Sequence, residues 1–353
     1  MGGIADELLA HKPAGAQISA LIDGFTLQKA AVIPDEIRGW DKNGVDDPKS
    51  FHYRSHPGID KQLCDFWRAN QPTHEANSGM PSHHWFHYTD VPVDPPQKYR
   101  DGKVGRSQWD IVHMIPYCVS VLRGETSEEN ARKITKPVAV ILLAHYVGDI
   151  HQPLHVGAEY FDVQGRVVDP SRDKSALPDE GGNTFTLELS DDPPRRRGIH
   201  KKKFHGFWDF DTVNTLLATL PATNSEKEGR EQTSAAIKNI IHEMISSEPK
   251  NWRLSPNIHL RNYAEAWADE ILPVAREAHQ RVTFSRVTPL QDEGRTVAAG
   301  EAEEKPSRDH VLYREWASEI VREELHKAGW RLADLLEQSL GSTSSSDTSS
   351  LSH

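Results

Sequence analysis

Apolar residues recur at helical spacing over residues 16–32, 109–122, 134–150, 237–245 and 263–282, so the chain reads as mostly helical. A further helix is predicted over 310–340, where Leu312, Trp316, Ile320, Leu325, Leu332 and Leu336 form a stripe suited to core packing. Strand character is scarce. Phe185, Leu187 and Leu189 alternate with Thr184, Thr186 and Glu188, a pattern that predicts one arm of a hairpin. Over 288–308 the periodicity gives way to acidic residues, Gly, Ala and Pro, which predicts a mobile surface loop. Residues 341–353 are almost entirely Ser and Thr, too poor in apolar groups to offset the entropy of ordering, and are expected to form a disordered tail. With no repeat at a period of roughly 20–50 residues, a single large helical domain over 1–340 is the simplest organisation.

Composition narrows this picture. A chain of 353 residues with 37% hydrophobic content can bury a sizeable core. It contains no apolar run of about 18 residues, so no membrane-spanning helix is expected. A net charge of −11 argues against a protein that coats duplex DNA through overall charge. One local exception exists: Arg195-Arg196-Arg197 and Lys201-Lys202-Lys203 precede His205, and read either as a steering patch for a polyanion or as a solvated basic loop. The two cysteines, Cys64 and Cys118, exclude a zinc ribbon or a disulfide framework and leave open one disulfide or two free thiols. The start, Met1-Gly2-Gly3-Ile4-Ala5-Asp6-Glu7, has neither the basic residues nor the apolar stretch of a signal peptide.

The chemistry concentrates in Ala144-His145-Tyr146-Val147-Gly148-Asp149-Ile150-His151-Gln152-Pro153-Leu154-His155 and in Phe204-His205-Gly206-Phe207-Trp208-Asp209. Residues four apart share one helix face, so His145 with Asp149, and His205 with Asp209, can each aim an imidazole and a carboxylate at one point. Pro153 opposes continuation of the first helix, so His155 is expected just past that face. Such nitrogen and oxygen donors suit zinc better than calcium or magnesium. His151 falls on another face and is expected to pack or to hydrogen-bond. His52, His83 and His84 lie in polar stretches and are expected at the surface or in turns. His56 precedes Asp60 by four residues, but Pro57-Gly58 argues against a helix that would join them.

Pro34-Asp35-Glu36-Ile37-Arg38 and Phe86-His87-Tyr88-Thr89-Asp90 lie upstream of these pairs, and Gly181-Gly182-Asn183 lies between them. This order resembles the zinc-dependent single-strand nuclease and 3′-nucleotidase family whose fungal members are the nucleases P-one and S-one. The run from Lys327 to Ala333 looks like that family's last helix. The resemblance implies a mainly α domain of the zinc nuclease and phospholipase C type with a small β-hairpin near the site. It implies up to three zinc ions: one held by Asp35, His87, His145 and Asp149, a second by His155, His205 and Asp209, and a third bridged by Asp149. Asp35, Arg38 and Asp149 would carry catalysis, Arg38 also gripping phosphate, while Asp90 and Asn183 would read the base edge. The implied reaction is hydrolysis of single-stranded RNA or DNA, and of 3′-nucleotides, by zinc-activated water, by a monomer without stable membrane insertion that is secreted or periplasmic.

The family's remaining ligands to the third ion are an amino-terminal tryptophan and a histidine five residues later. Its Trp-Gly-x-x-Gly-His start has no counterpart ahead of Ile4, which already reads as helix interior. The expectation is therefore a start lying upstream, with a signal peptide and two ligand residues, or else a variant with an incomplete site that binds nucleic acid or metal without full activity. Zinc phospholipase C is the rival within enzymes, sharing a His-x3-Asp-x5-His core. Its last pair looks like His-x3-Glu and follows closely, whereas here about 50 residues and Gly-Gly-Asn separate His155 from His205.

Overall fold

The most apolar run of the sequence becomes the axis of the molecule. In the computed structural model, which describes residues 1–71, 81–191, 202–217, 226–292, 294–307 and 309–341, ten successive residues over 138–147 are buried. A helix apolar on every side must be enclosed on every side. Thr135 caps this helix by accepting from the Val138 amide, and Pro137 occupies its first turn, where a missing N–H costs nothing.

The helices in chain order are α1 (Gly2–Leu9), α2 (Pro13–Leu21), α3 (Leu27–Ala30), α4 (Ile33–Ile37), α5 (Pro57–Ala69), α6 (Ile111–Leu122), α7 (Lys136–Asp149), α8 (Phe204–Gly206), α9 (Thr212–Leu217), α10 (Glu226–Ile245), α11 (Tyr263–Gln280) and α12 (Tyr313–Leu340). Helices α3, α4, α5, α6 and α12 pack around α7. The strands are β1 (Val91–Pro92), β2 (Gly157–Ala158), β3 (Tyr160–Phe161), β4 (Leu177–Pro178), β5 (Phe185–Glu188), β6 (Val282–Asp292) and β7 (Arg295–Glu304). The mainly α fold with small sheets is as expected. A large apolar cluster surrounds α7, and a smaller one, including Phe185, Phe204, Phe207, Trp208 and Tyr313, lies beneath the three-stranded sheet. No helix among the described residues is long and apolar enough to cross a membrane.

Several expectations need correction. The helix read over 16–32 is two helices, because Asp23 (φ 52°) and Gly24 (φ 79°) take left-handed conformations that end the first. The segment expected as a loop over 288–308 is largely β-sheet: β6 and β7 pair antiparallel around Gly294, burying Val297, Ala298 and Ala302. Small residues in β7 obscured its alternation, since alanine carries little strand signal. Phe185 and Leu187 lie on β5, which joins this sheet parallel to β7 as a third strand instead of forming an arm of the hairpin. Residues 342–353 of the tail and Arg195, Arg196, Arg197 and Lys201 of the basic run lie outside the described residues. Cys64 and Cys118 are buried free thiols.

His83 and His84 are not simple surface histidines. His83 is buried, and both rings turn onto Asp41, with Nε2 to carboxylate distances of 3.3 and 2.7 Å. Together with the Trp67 indole N–H at 2.6 Å they pull the Asp41 carboxyl below its ordinary range, although burial works the other way. His52 is likewise partly buried, with its Nδ1 3.0 Å from Asp60 Oδ2. His56 caps α5 and faces Asp23, so it does not pair with Asp60.

Candidate metal centre

Helix α7 delivers His145 and Asp149 to one point: Nε2 of the first lies 3.0 Å from Oδ2 of the second. His87 ends a 3-10 turn (His83–His87) and brings its Nδ1 to 3.0 Å from both that oxygen and His145 Nε2. Asp35, on α4, completes the group from a more exposed position, its Oδ1 3.9 Å from His145 Nε2. Past α7, the 3-10 turn Pro153–His155 presents His155, whose Nε2 lies 3.2 Å from His205 Nε2 and 3.7 Å from Asp209 Oδ1. His205 Nε2 is 3.4 Å from Asp209 Oδ2. Asp149 stands between the groups, its other oxygen 4.0 Å from His155 Nε2.

The two histidine-carboxylate pairs form differently. His145 and Asp149 share an ordinary α-helical face, whereas His205 and Asp209 span the junction of α8 with a π-helical stretch, Phe207–Asp211. A wider π turn inside a helix is found frequently at functional sites. The sequence carries the four-residue spacing but no signal for that turn.

Hydrogen bonds fix which ring nitrogens face inward. His145 Nδ1 lies 2.6 Å from the Ala31 carbonyl, His155 Nδ1 2.8 Å from that of His87, and His205 Nδ1 3.0 Å from that of Gly181. A carbonyl can only accept, so each Nδ1 bears the hydrogen and each Nε2 presents its lone pair to the interior. Two lone pairs 3.2 Å apart, on His155 and His205, repel unless a proton or a metal cation lies between them. This is the outer support that metal-binding histidines carry. Gly181 (φ 57°) makes it possible: a Cβ there would lie 1.9 Å from the Leu154 carbonyl oxygen.

Without a metal, the charges arrange themselves around protons. Burial opposes a charge on His145, yet Asp149 and Asp35 raise it to about 9; burial likewise opposes a charge on His155, yet Asp149 and Asp209 raise it to about 9. Burial lowers His87 to about 3 and lowers His205. Burial also opposes ionisation of Asp149 and Asp209, but the neighbouring imidazoles hold Asp149 far below the usual carboxylate range and Asp209 at about 2. The carboxylates are therefore ionised, the inward nitrogens of His87 and His205 are unprotonated, and a divalent cation would take the place of the protons on His145 and His155.

These residues open on a cavity of about 830 Å³. Arg38 and Asn183 stand exposed on its wall. Asp90 is instead buried behind Arg295, whose guanidinium lies 3.1 Å from its carboxylate and 2.6 Å from Glu180. Arg295 also lies over the Trp85 and Tyr88 rings, 5.2 and 5.7 Å from their centroids. His151 packs away from both groups, with Nδ1 2.7 Å from the Val147 carbonyl and Nε2 accepting from Arg331 at 2.9 Å.

Three contributors escaped sequence reasoning. Arg295 begins β7 at the hairpin turn and was lost with the hairpin; Asp292-Glu293-Gly294 was the turn signal that could have revealed it. Gln152 donates to Asp209 Oδ1 at 3.0 Å, and no motif marked it. Phe210 is 66% exposed at the cavity wall, where an aromatic ring is a stacking surface.

Comparison with known proteins follows the same lines. The S1/P1 Nuclease family model matches residues 1–341. The chain is 27% identical over 179 residues to "Endonuclease 2" of Arabidopsis thaliana, covering 48% of this chain and 50% of that protein. It is 28% identical over 147 residues to "Endonuclease 1" of the same plant (38% and 39% of the two chains) and 25% identical over 149 residues to "Endonuclease 4" (39% and 41%). The matched part of the chain thus spans half the length of these relatives or less.

Proposed function

This chain belongs to the S1/P1 nuclease family, and from that membership we propose that it hydrolyses phosphodiester bonds of single-stranded nucleic acid, and 3′-nucleotides, with zinc bound in the cavity. The observation that carries the reading is the opposition of His155 and His205, whose inward nitrogens face each other with their outward hydrogens already committed. Asp35, His87, His145 and Asp149 would hold one ion, and His155, His205 and Asp209 another. Zinc held there would supply an acidified water at neutral pH and stabilise charge on the departing oxygen.

The remaining roles fall to the protein itself. Arg38, exposed beside Asp35, offers a guanidinium whose fork matches two phosphoryl oxygens. Asn183, exposed on the same wall, would take a base edge, whereas Arg295 screens Asp90 from the cavity. Phe210 gives an unstacked base a ring to lie against, which favours single strands over a duplex whose bases are stacked already.

The test uses the full chain stripped with a chelator and assayed on an oligonucleotide, on its duplex and on a 3′-mononucleotide, with zinc or magnesium restored. Cleavage should vanish on stripping, return with zinc but not magnesium, and favour the single strand. His145→Ala should abolish cleavage while leaving the helical circular dichroism intact. Cleavage indifferent to the chelator, or full activity in His145→Ala, would refute the proposal.

A further inference from the structure

A separate set of metal-type donors lies on α5. Asp60 and Cys64 are four residues apart and share its face, and His52 reaches that face from the preceding segment. His52 Nδ1 lies 3.0 Å from Asp60 Oδ2 and 3.9 Å from Cys64 Sγ, and the thiol lies 4.0 Å from the same carboxylate oxygen. A tetrahedral zinc ion with bonds of about 2.0–2.3 Å separates nitrogen, oxygen and sulfur donors by roughly 3.3–3.7 Å. The nitrogen–oxygen edge is about 0.3 Å shorter than its tetrahedral value of about 3.3 Å, and the two edges to sulfur are about 0.4 to 0.5 Å longer than theirs of about 3.5 Å.

Hydrogen bonding aims the donors inward. His52 Nε2 lies 3.1 Å from the Val45 carbonyl, so it bears the ring hydrogen and the Nδ1 lone pair faces the Asp60 carboxylate. Two acceptors 3.0 Å apart require a cation or a proton between them. Asp60 is held in place by the Tyr53 amide, which donates to its other oxygen at 2.7 Å. The cluster of Asp41 with His83 and His84 makes the contrast. There three ring nitrogens can all donate to one carboxylate, which is satisfied without an ion. The His52 group opens on a cleft lined also by Asp46, Asp47, Ser50, Arg54, Lys61 and Arg68, which leaves room for water as a fourth ligand.

We propose that His52, Asp60 and Cys64 bind a zinc ion of their own, apart from the cavity, and that this ion fastens the segment following Arg38 to α5. The donor set includes a cysteine thiol, whereas no cysteine lines the cavity, and that difference makes the two separable. The full chain, stripped with a chelator and loaded with cobalt(II) alone, should develop a near-ultraviolet thiolate-to-cobalt charge-transfer band. Cys118 is fully buried in the core, so the band reports Cys64. Cys64→Ser should lose the band and one metal ion per chain while keeping single-strand cleavage. Should that variant lose its circular dichroism signal, His52→Gln supplies the same readout with the thiol in place, the band being lost or weakened severalfold. Absence of the band in the wild type at saturating cobalt, its persistence in Cys64→Ser, or an unchanged metal count would overturn the proposal.

Discussion

Replacing Glu180 with glutamine should make the protein more stable, by an amount that grows with pH. Glu180 is partly buried at the cavity wall and shares the single guanidinium of Arg295 with Asp90, while Asp292 lies near. Burial, the largest cause, together with Asp90 and Asp292 pushes it from 4.5 up to about 8 despite Arg295. The unfolded chain releases that proton near 4.5 and the folded chain holds it until about 8. The neutral group therefore costs nothing below the lower value; stability is lost as pH rises between the two and stays constant above. At ~1.36 kcal/mol per pH unit the full penalty is on the order of 4 to 5 kcal/mol. A glutamine oxygen can still accept from Arg295 Nε, now 2.8 Å from the Glu180 carboxyl, and never ionises. Urea unfolding at a fixed free zinc concentration, from about pH 5 to about pH 9, gives the difference between variant and wild type. That difference should widen by about 4 kcal/mol across the range. A constant difference, or one that narrows, would show that Glu180 is ionised in the folded protein and that the reasoning about one guanidinium and two carboxylates is wrong.

Gly181→Ala forces a side chain against the Leu154 carbonyl and displaces the carbonyl that orients His205; a loss of about 1–3 kcal/mol in stability and a roughly 10–100-fold loss in zinc affinity are expected, checked by thermal unfolding and calorimetry. Phe210→Ala should weaken single-strand binding by about 1–3 kcal/mol while leaving metal content alone, measured by fluorescence anisotropy with an inactive variant. Zinc loading must displace protons from His145 and His155, both raised to about 9 in the metal-free protein. Loading near pH 7 should accordingly release about two protons per chain and weaken as pH falls, read from calorimetry in buffers of different ionisation enthalpy; release near zero would contradict the assignment. In the stripped protein the same two histidines should favour the fold fully below about 6.5 and lose that contribution as pH rises through about 9.

The helices and the two histidine-carboxylate pairs were legible because both depend on local spacing, whereas Asp35 and His87 were singled out by the family resemblance alone. His145 and Asp149 meet for the reason that any four-residue helical pair meets, and the run 138–147 is long and apolar enough to declare itself buried. What stayed hidden depends on partners far along the chain. Strand β7 is built from residues that take strand form only when β5 and β6 flank them, so Arg295 could not be placed. Asp90 fitted a motif, yet a guanidinium more than two hundred positions away covers it. The pairing of His83 and His84 with Asp41 is likewise a contact between segments that spacing does not encode.

Helix α7 ends at Asp149, in the middle of the donor groups. Its peptide dipoles add head to tail, leaving about half a negative charge at that end. Because the rod is enclosed by apolar side chains, little water screens the field along its length. The cavity thus carries a standing attraction for cations, from backbone alone, that no ligand substitution removes. A variant stripped of one side-chain donor would still draw divalent ions toward this end of the helix, and would hold them in a poorer geometry.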